Sequence, residues 1–381
     1  MSRETADVLV VGGGVVGCAA AFVLAREGLR VALLERDALC AHASGVAAGM
    51  LLPTGEARGR GALLRFGLRS LALFPELCAE LRDLSGIDPE YEACGALHVA
   101  QSEVGEAALR RRAAELPECE LEWLGPEAAR RAEPRLAPAL RGALWSAREA
   151  HVNGERLTRA FAGAAQELGA RVETGVAARG LLQQAGRVVG VASSAGERFA
   201  GQVVVCTGAW AGELAGWPGA AFRPPVEPVR GEIVALEGPQ PPLASLVCGE
   251  QVYLVPRRDG SCLLGATQER AGFDARPTAG GVGELLRAGA ALVPTLARAA
   301  FLGARAGLRP GSPDGLPLIG AVPGAPGLLV AVGHFRNGVL LSPETARLLA
   351  DLATGKDPGE EARAFAPGRF LAASGPSRPR G

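Results

Sequence analysis

The hydrophobic pattern opens with Asp7-Val-Leu-Val-Val11, a β-branched run of the kind that fills a fully buried strand. Glycines at 12, 13, 14 and 17 follow it. An Ala- and Leu-rich stretch predicts a helix over 15–27, and Gly28 is placed to end that helix in a left-handed cap. A second apolar strand over 30–34 ends at Glu35, and leucines at 63, 64, 68, 71, 77, 81 and 84 predict a helix over 63–84. Beyond Tyr91 the texture changes: short alternating runs such as 96–100 are interleaved with charged helical segments at 103–115 and 126–133. An amphipathic helix at 154–168 carries Leu157, Phe161, Ala164, Ala165 and Leu168 on one face. The chain then returns as a strand from Arg171 toward Val176. Two β-rich runs, 179–184 and 187–192, meet at a turn over Ala185-Gly186, and a buried strand runs from Gln202 to Cys206. From Pro224 the pattern is β again, at 226–236, 251–255 and 262–266, with Arg258-Asp259-Gly260 as the hairpin turn between the last two. A helix near 280–292 ends at Pro294. In the last third, 303–309 leads into a Pro/Gly-rich loop at 310–317, and 327–332 is a buried strand followed by a helix to about 353. Ser342-Pro343 fits either the start of that helix, with proline at its first position, or a kink in a helix begun near Asn337.

These elements predict an α/β chain, α+β overall, in two discontinuous domains. One is a Rossmann-like parallel sheet built from 1–90, 146–221 and 303–370. The other is a mainly antiparallel β substrate domain from two insertions, 91–145 and 222–302. Residues 371–381, rich in Pro, Gly, Ser and Arg, are expected to be a disordered tail.

Charge narrows the function classes. Lys plus Arg and Asp plus Glu are 40 each, so no net field recruits nucleic acid or an anionic membrane. The eight cysteines include no C-x-x-C, which leaves no zinc spacing and no disulfide framework. His98 and His151 stand alone in sequence and read as structural. No apolar run is long enough to span a bilayer, and the first one is already the opening strand of the sheet, so a cytoplasmic protein is expected.

The candidate chemistry sits at the first turn. Gly12, Gly14 and Gly17 occupy the fixed places of G-x-G-x-x-G between a strand and a helix. There the first glycine makes the tight turn, the second lets backbone approach a pyrophosphate, and the third lets helix pack on strand, with the helix N-terminus facing the phosphate charge. Glu35 lies 18 residues past Gly17, where an acid accepts hydrogen bonds from an adenosine ribose. The small residues from Ala43 to Met50 leave room for a flat ring against backbone, and Ser44 adds a hydroxyl. A second glycine approach, Thr207-Gly208 at the end of a buried strand, is a feature of two-dinucleotide-fold flavoproteins and favours FAD over NAD.

The order GGGVVGCA, LLER, ASGVAAGML, VVVCTGAWA, VYLVPRRDGSCLLGAT, GLRPGSPDGLPLIG and GHFRNGVLLSPETA closely resembles the glycine oxidases of thiamine biosynthesis. These belong to the D-amino-acid oxidase and sarcosine oxidase class of flavoproteins, and the similarity runs to about residue 355. The resemblance implies a noncovalently held FAD, a small amino-acid or amine substrate, oxidation of glycine to an imine, and O2 as acceptor with H2O2 as product. No nucleic acid is implied, and a homo-oligomer is the expected assembly. It further implies that Val15, Val16, Glu35, Arg36, Ala43, Ser44, Ala48, Gly49, Met50 and Val176 line the FAD, with the run His334, Phe335, Arg336, Asn337, Gly338, Val339 and Leu340. Arg309 and Arg336 match arginines that hold a substrate carboxylate, and Tyr253 matches a tyrosine assisting them. Gln268 departs from a methionine and Leu52 from a glycine in the family pattern, and both bear on which side chain the amine carries.

An arginine fixes a carboxylate by a charge-assisted pair and so orients the α C–H toward the flavin; a neutral amine then needs no protein base, and none stands out. No cysteine follows Cys262, which excludes the cysteine tether of sarcosine oxidases. The rival readings are a D-amino-acid dehydrogenase that passes electrons to a quinone, an RNA-modifying flavoprotein, against which the balanced charge argues, and a redox-silent flavin-binding scaffold.

Overall fold

The computed structural model describes residues 6–56, 61–217 and 222–371. The expected tail at 371–381 therefore lies, but for its first residue, outside the described residues. Two eight-stranded sheets organise the rest.

In the first sheet, Ala6–Val11 pairs in parallel with Val31–Leu34 on one side and with Gly196–Val205 on the other. Arg171–Glu173 and Leu328–Val332 extend it in parallel at either end, and Leu318–Ala321 closes one edge antiparallel. The predicted hairpin is present: Ala178–Gln184 and Arg187–Ser193 pair antiparallel, and the second strand continues the sheet onto Gly196–Val205. Ala185 and Gly186 both take positive φ, 49° and 76°, the mirror-image turn that suits the strand twist.

Four helices cover one face of this sheet. Val15–Arg26 is buried along almost its whole length because alanines let neighbours approach, and it packs on Gly154–Glu167 through Phe22 and Phe161, 5.9 Å apart. Ala62–Ser85 and Gly338–Ala353 complete the layer. Each fully buried Phe or Leu here adds roughly 1.5–3 kcal/mol of hydrophobic stabilisation. The last helix resolves the alternatives at Ser342-Pro343: it begins at Gly338 and carries Pro343 inside. A proline there leaves the Val339 carbonyl without its usual amide partner, and the Ser342 hydroxyl donates to that carbonyl at 2.9 Å.

The second sheet runs in the order Phe301–Gly311, Glu227–Glu237, Ser261–Gly265, Tyr253–Pro256, Leu246–Cys248, Ala96–Ala100, Gly142–Ser146, Glu122–Leu124. Every pairing is antiparallel except that of Leu246–Cys248 with Ala96–Ala100. Three helices, Glu103–Glu115, Pro126–Ala132 and Ala279–Leu292, pack on it. The run 303–309, expected to lead from the parallel core into a loop, is instead part of the edge strand Phe301–Gly311, hydrogen-bonded along Glu227–Glu237. The boundary drawn at residue 303 thus falls inside a strand of the second sheet. Alternation is hard to see there, because glycine and alanine fill 303, 304, 306 and 307 and carry no inward-outward contrast.

Among the described residues, no helix is long and apolar enough to cross a membrane. His98 and His151 are both buried. His98 Nε2 meets Glu149 Oε2 at 2.8 Å, and Thr54 donates to the other oxygen of that carboxylate.

Candidate active site

Between the two sheets lies one cleft, lined from the parallel side by the ends of its strands and from the antiparallel side by Gly231, Ile233, Tyr253 and 307–310. The fingerprint turn forms its floor. Gly12 has φ 112°, and a methyl there would come 2.6 Å from the Cys206 carbonyl oxygen, so the turn admits only glycine. Gly17 does not line the cleft. It lies under the Gly12 carbonyl, where any Cβ would overlap that oxygen, and so sets how closely the helix seats.

Glu35 is tied to the same turn. Its Oε2 accepts the Gly13 N–H at 2.6 Å and its Oε1 the Asp37 N–H at 2.8 Å. A carboxylate oxygen takes two hydrogen bonds, so each keeps a lone pair for a ribose hydroxyl. Ser44 Oγ accepts the Val15 N–H at 3.0 Å and so caps the first turn of the helix from a distant loop. Ala43, Ser44, Ala48, Gly49 and Met50 follow along the wall, with Ala43–Val46 as one short helical turn and Met50–Leu51 paired to Ala150–His151. Val16, Arg36, Val176, Thr207 and Gly208 also line the cleft. Thr207 Oγ1 is buried without a hydrogen-bond partner, a polar atom left for a ligand to satisfy.

The turn after Leu328–Val332 brings His334, Phe335, Arg336, Asn337, Gly338 and Val339 to the cleft. Phe335 takes positive φ, 50°, with its N–H on the Pro310 carbonyl at 2.9 Å. Burial holds His334 neutral, its pKa pushed down to about 3, with Nε2 3.1 Å from Thr345 Oγ1. Leu340 is the exception in this run: it points into the helical core, not the cleft, and its carbonyl accepts the Ser70 hydroxyl at 2.6 Å.

Arg309 and Tyr253 face this turn from the other sheet. Arg309, expected where 303–309 leads into a loop, lies within the edge strand of the antiparallel sheet, opposite Val229, and Nη1 donates to the Thr267 carbonyl at 2.9 Å. Two glycines make room for these side chains. The Arg309 guanidinium lies over Gly231, and the Tyr253 ring lies over Gly265; a Cβ at either would overlap them. Leu52, Ile233, Met50 and Tyr253 belong to one apolar cluster at this end. Leu52 reaches the cleft wall, whereas Gln268 is not among its lining residues.

Gly231, Ile233, His42 and Trp210 also line the cleft, beyond the residues expected from sequence. A glycine inside a strand signals a close approach, and Gly231 in Arg230-Gly231-Glu232 carried that signal. The stacking of Trp210 on Arg36, 4.2 Å from cation to ring centre, had none, because it joins segments far apart in sequence.

The cleft, with its glycine floor, its bifunctional carboxylate and its unpaired threonine hydroxyl, fits a dinucleotide, and similarity to known proteins says which. The profile of the family described as FAD dependent oxidoreductase matches residues 7–352. The chain belongs to this family of FAD-dependent oxidoreductases. It is 37% identical over 361 residues to the glycine oxidase of Pseudomonas aeruginosa, covering 94% of this chain and 98% of that one. It is also 37% identical over 354 residues to the bifunctional protein ThiO/ThiG of a Nostoc species. The chain spans about half the length of such bifunctional relatives, 52% in that case. Among solved structures, the glycine oxidase of Geobacillus kaustophilus superposes with a TM-score of 0.91 at 36% identity, over 95% of this chain and 98% of that one. In this FAD oxidoreductase, Glu35 and the fingerprint turn would hold the adenosine and pyrophosphate, and the turn 334–339 and the wall at 43–50 would take the flavin.

Proposed function

We propose that this protein oxidises glycine, and other small amines such as sarcosine or D-alanine, to the imine, which water hydrolyses, in the case of glycine to glyoxylate and ammonia. The observation that carries the reading is the meeting of Arg309 and Tyr253, from the antiparallel sheet, with the turn 334–339, from the parallel sheet, in one cleft. A guanidinium there holds a carboxylate by a charge-assisted, bidentate pair. Its Thr267 carbonyl contact and its seat on Gly231 fix the fork before substrate arrives. Tyr253 adds a hydroxyl donor beside it. Arg336, in the turn itself, faces both substrate and flavin. Leu52, Ile233 and Met50 close the apolar end, which favours substrates with little or no side chain.

Bound FAD would supply the two-electron redox chemistry, the oxidation of the α C–H bond with O2 as final acceptor and H2O2 as product. The protein's part is orientation and field. Arg309 aims the α carbon, the apolar wall excludes water, and His334, held neutral by burial, adds no positive charge to the turn 334–339. A glycine oxidised as the neutral amine needs no protein base, and the helix beginning at Gly338 directs the positive end of its dipole toward the cleft. The fusion of similar chains to a second module in the ThiO/ThiG relatives supports a place in thiamine biosynthesis.

Oxygen consumption with glycine as sole substrate tests the proposal. Stoichiometric H2O2 and glyoxylate are expected. Turnover with a quinone but none with O2 would make the protein a dehydrogenase instead.

A further inference from the structure

The turn at Gly272–Phe273 lies in the connection 266–278, between the strand Ser261–Gly265 and the helix Ala279–Leu292, and belongs to neither sheet. It is nonetheless tethered at several points. Buried Arg230 donates Nη2 to Glu269 Oε2 at 2.6 Å and Nη1 to the Arg276 carbonyl at 3.2 Å, and lies 3.9 Å from Asp274. The Arg230 and Glu269 backbones exchange two further hydrogen bonds, at 2.8 and 3.0 Å. Asp274 accepts the Arg276 amide at 3.0 Å and its Nε at 2.9 Å. Both flanks of the turn are thus anchored to the second sheet.

What this anchoring presents is one ring. Phe273 is 46% exposed, an unusual place for a phenylalanine, and it stacks on Trp210 with centres 5.6 Å apart and planes 29° from parallel. Trp210 belongs to the opposite half, in the short helix Gly208–Glu213 that follows the return strand of the parallel sheet. Its ring also meets Arg36, 4.2 Å away, and His42, 4.5 Å away. Arg36 and His42 converge on Asp37 Oδ2 at 2.9 and 2.8 Å, two residues past Glu35. Trp210, Arg36 and His42 all line the cleft; Phe273 lies behind Trp210 and does not.

We propose that Phe273 is a cofactor-retention residue: carried across from the second sheet, it holds Trp210 against Arg36 and His42 and closes the Glu35 end of the cleft behind FAD. The inference rests on the reading that the adenosine lies at Glu35. The same connection holds the Thr267 carbonyl that receives Arg309, so one segment braces the substrate end of the cleft and covers its cofactor end.

The rate of FAD release tests this, followed as the activity regained by an excess of a second flavoenzyme's apoprotein, which captures the FAD that the holoenzyme sets free and is assayed on a substrate of its own. Phe273→Ala should release FAD about three- to tenfold faster, the range an aromatic stack of this kind supports. Phe273→Tyr, which keeps the ring, should release it at the wild-type rate. Should the alanine variant fail to fold, Phe273→Leu, which fills the space without the aromatic face, should show the faster release. An unchanged rate in the folded variant, or an equal acceleration in Phe273→Tyr, would overturn the proposal. Glu35→Ala is measured in parallel. Faster release there with no change at Phe273 overturns the retention role alone, and no change in either overturns the placement of the adenosine as well.

Discussion

Glu35 does two jobs with one carboxylate. It pins the fingerprint turn through Gly13 and its own following turn through Asp37, and it keeps lone pairs for a ribose. Glu35→Ala therefore orphans two backbone N–H groups as well as removing a ribose acceptor, and each such buried loss costs about 1–3 kcal/mol. We expect FAD affinity to fall by at least tenfold and the apoprotein to melt earlier. Glu35→Gln, with one acceptor oxygen, should lie between; equilibrium dialysis and thermal melts of the FAD-free form check both. The spacing of this acid was legible in sequence because the fingerprint is local. The seat of Arg309 was not, since it is made by Gly231 on the neighbouring strand. Arg309→Ala should lower kcat/KM for glycine by about 2–5 kcal/mol of transition-state stabilisation, from leaving a carboxylate unpaired in a partly dry site. Lysine should rescue only part, for want of the planar fork. Gly231→Ala should raise KM through displaced Arg309 while FAD content stays near normal. A glycine KM unchanged in both alanine variants would remove Arg309 from the substrate site.

At the scale of elements, what could be read depended on contrast. The helices at 62–85 and 154–167 and the hairpin turn at 185–186 carry strong periodicity or turn chemistry, and the structure places them within a few residues of expectation. The edge strand Phe301–Gly311 and the course of the helix through Pro343 depend on partners far away in sequence: on Glu227–Glu237 for the first, on the Ser342 hydroxyl for the second. Buried histidines give these elements a pH dependence. His151, in the strand Ala150–His151, has its pKa pushed down by burial to about 4, and His334 down to about 3. Above pH 6.5 both are neutral, folded or unfolded, and contribute nothing to the pH dependence. Below it the unfolded chain takes protons that the folded one refuses, so stability falls as pH drops toward about 4, by up to about 1.4 kcal/mol per unit for each histidine. His151→Leu should flatten this slope between pH 6.5 and 4.5 in chemical denaturation. An unchanged slope would mean that His151 is protonated in the folded state.

For the whole molecule, the division of labour between sheets explains the cleft. The parallel sheet lines the cleft with the ends of its strands, where open α/β sheets bind ligands, and on the proposed reading the antiparallel sheet would supply the substrate wall. Both textures were visible in sequence; their meeting at Arg309, Tyr253 and 334–339 is a tertiary fact. With no cysteine after Cys262 to tether a flavin, acid or heat should release intact FAD from the polypeptide. Colour that stays with the denatured chain would contradict noncovalent binding. The central claim, that this cleft brings glycine to a bound flavin, is tested most directly by mixing holoenzyme with glycine in the absence of oxygen and following the flavin absorbance. The account predicts bleaching of the visible band of oxidised flavin, with colour restored when O2 is admitted. An absorbance untouched by glycine, sarcosine and D-alanine alike would contradict it and leave a flavin-binding protein without this chemistry.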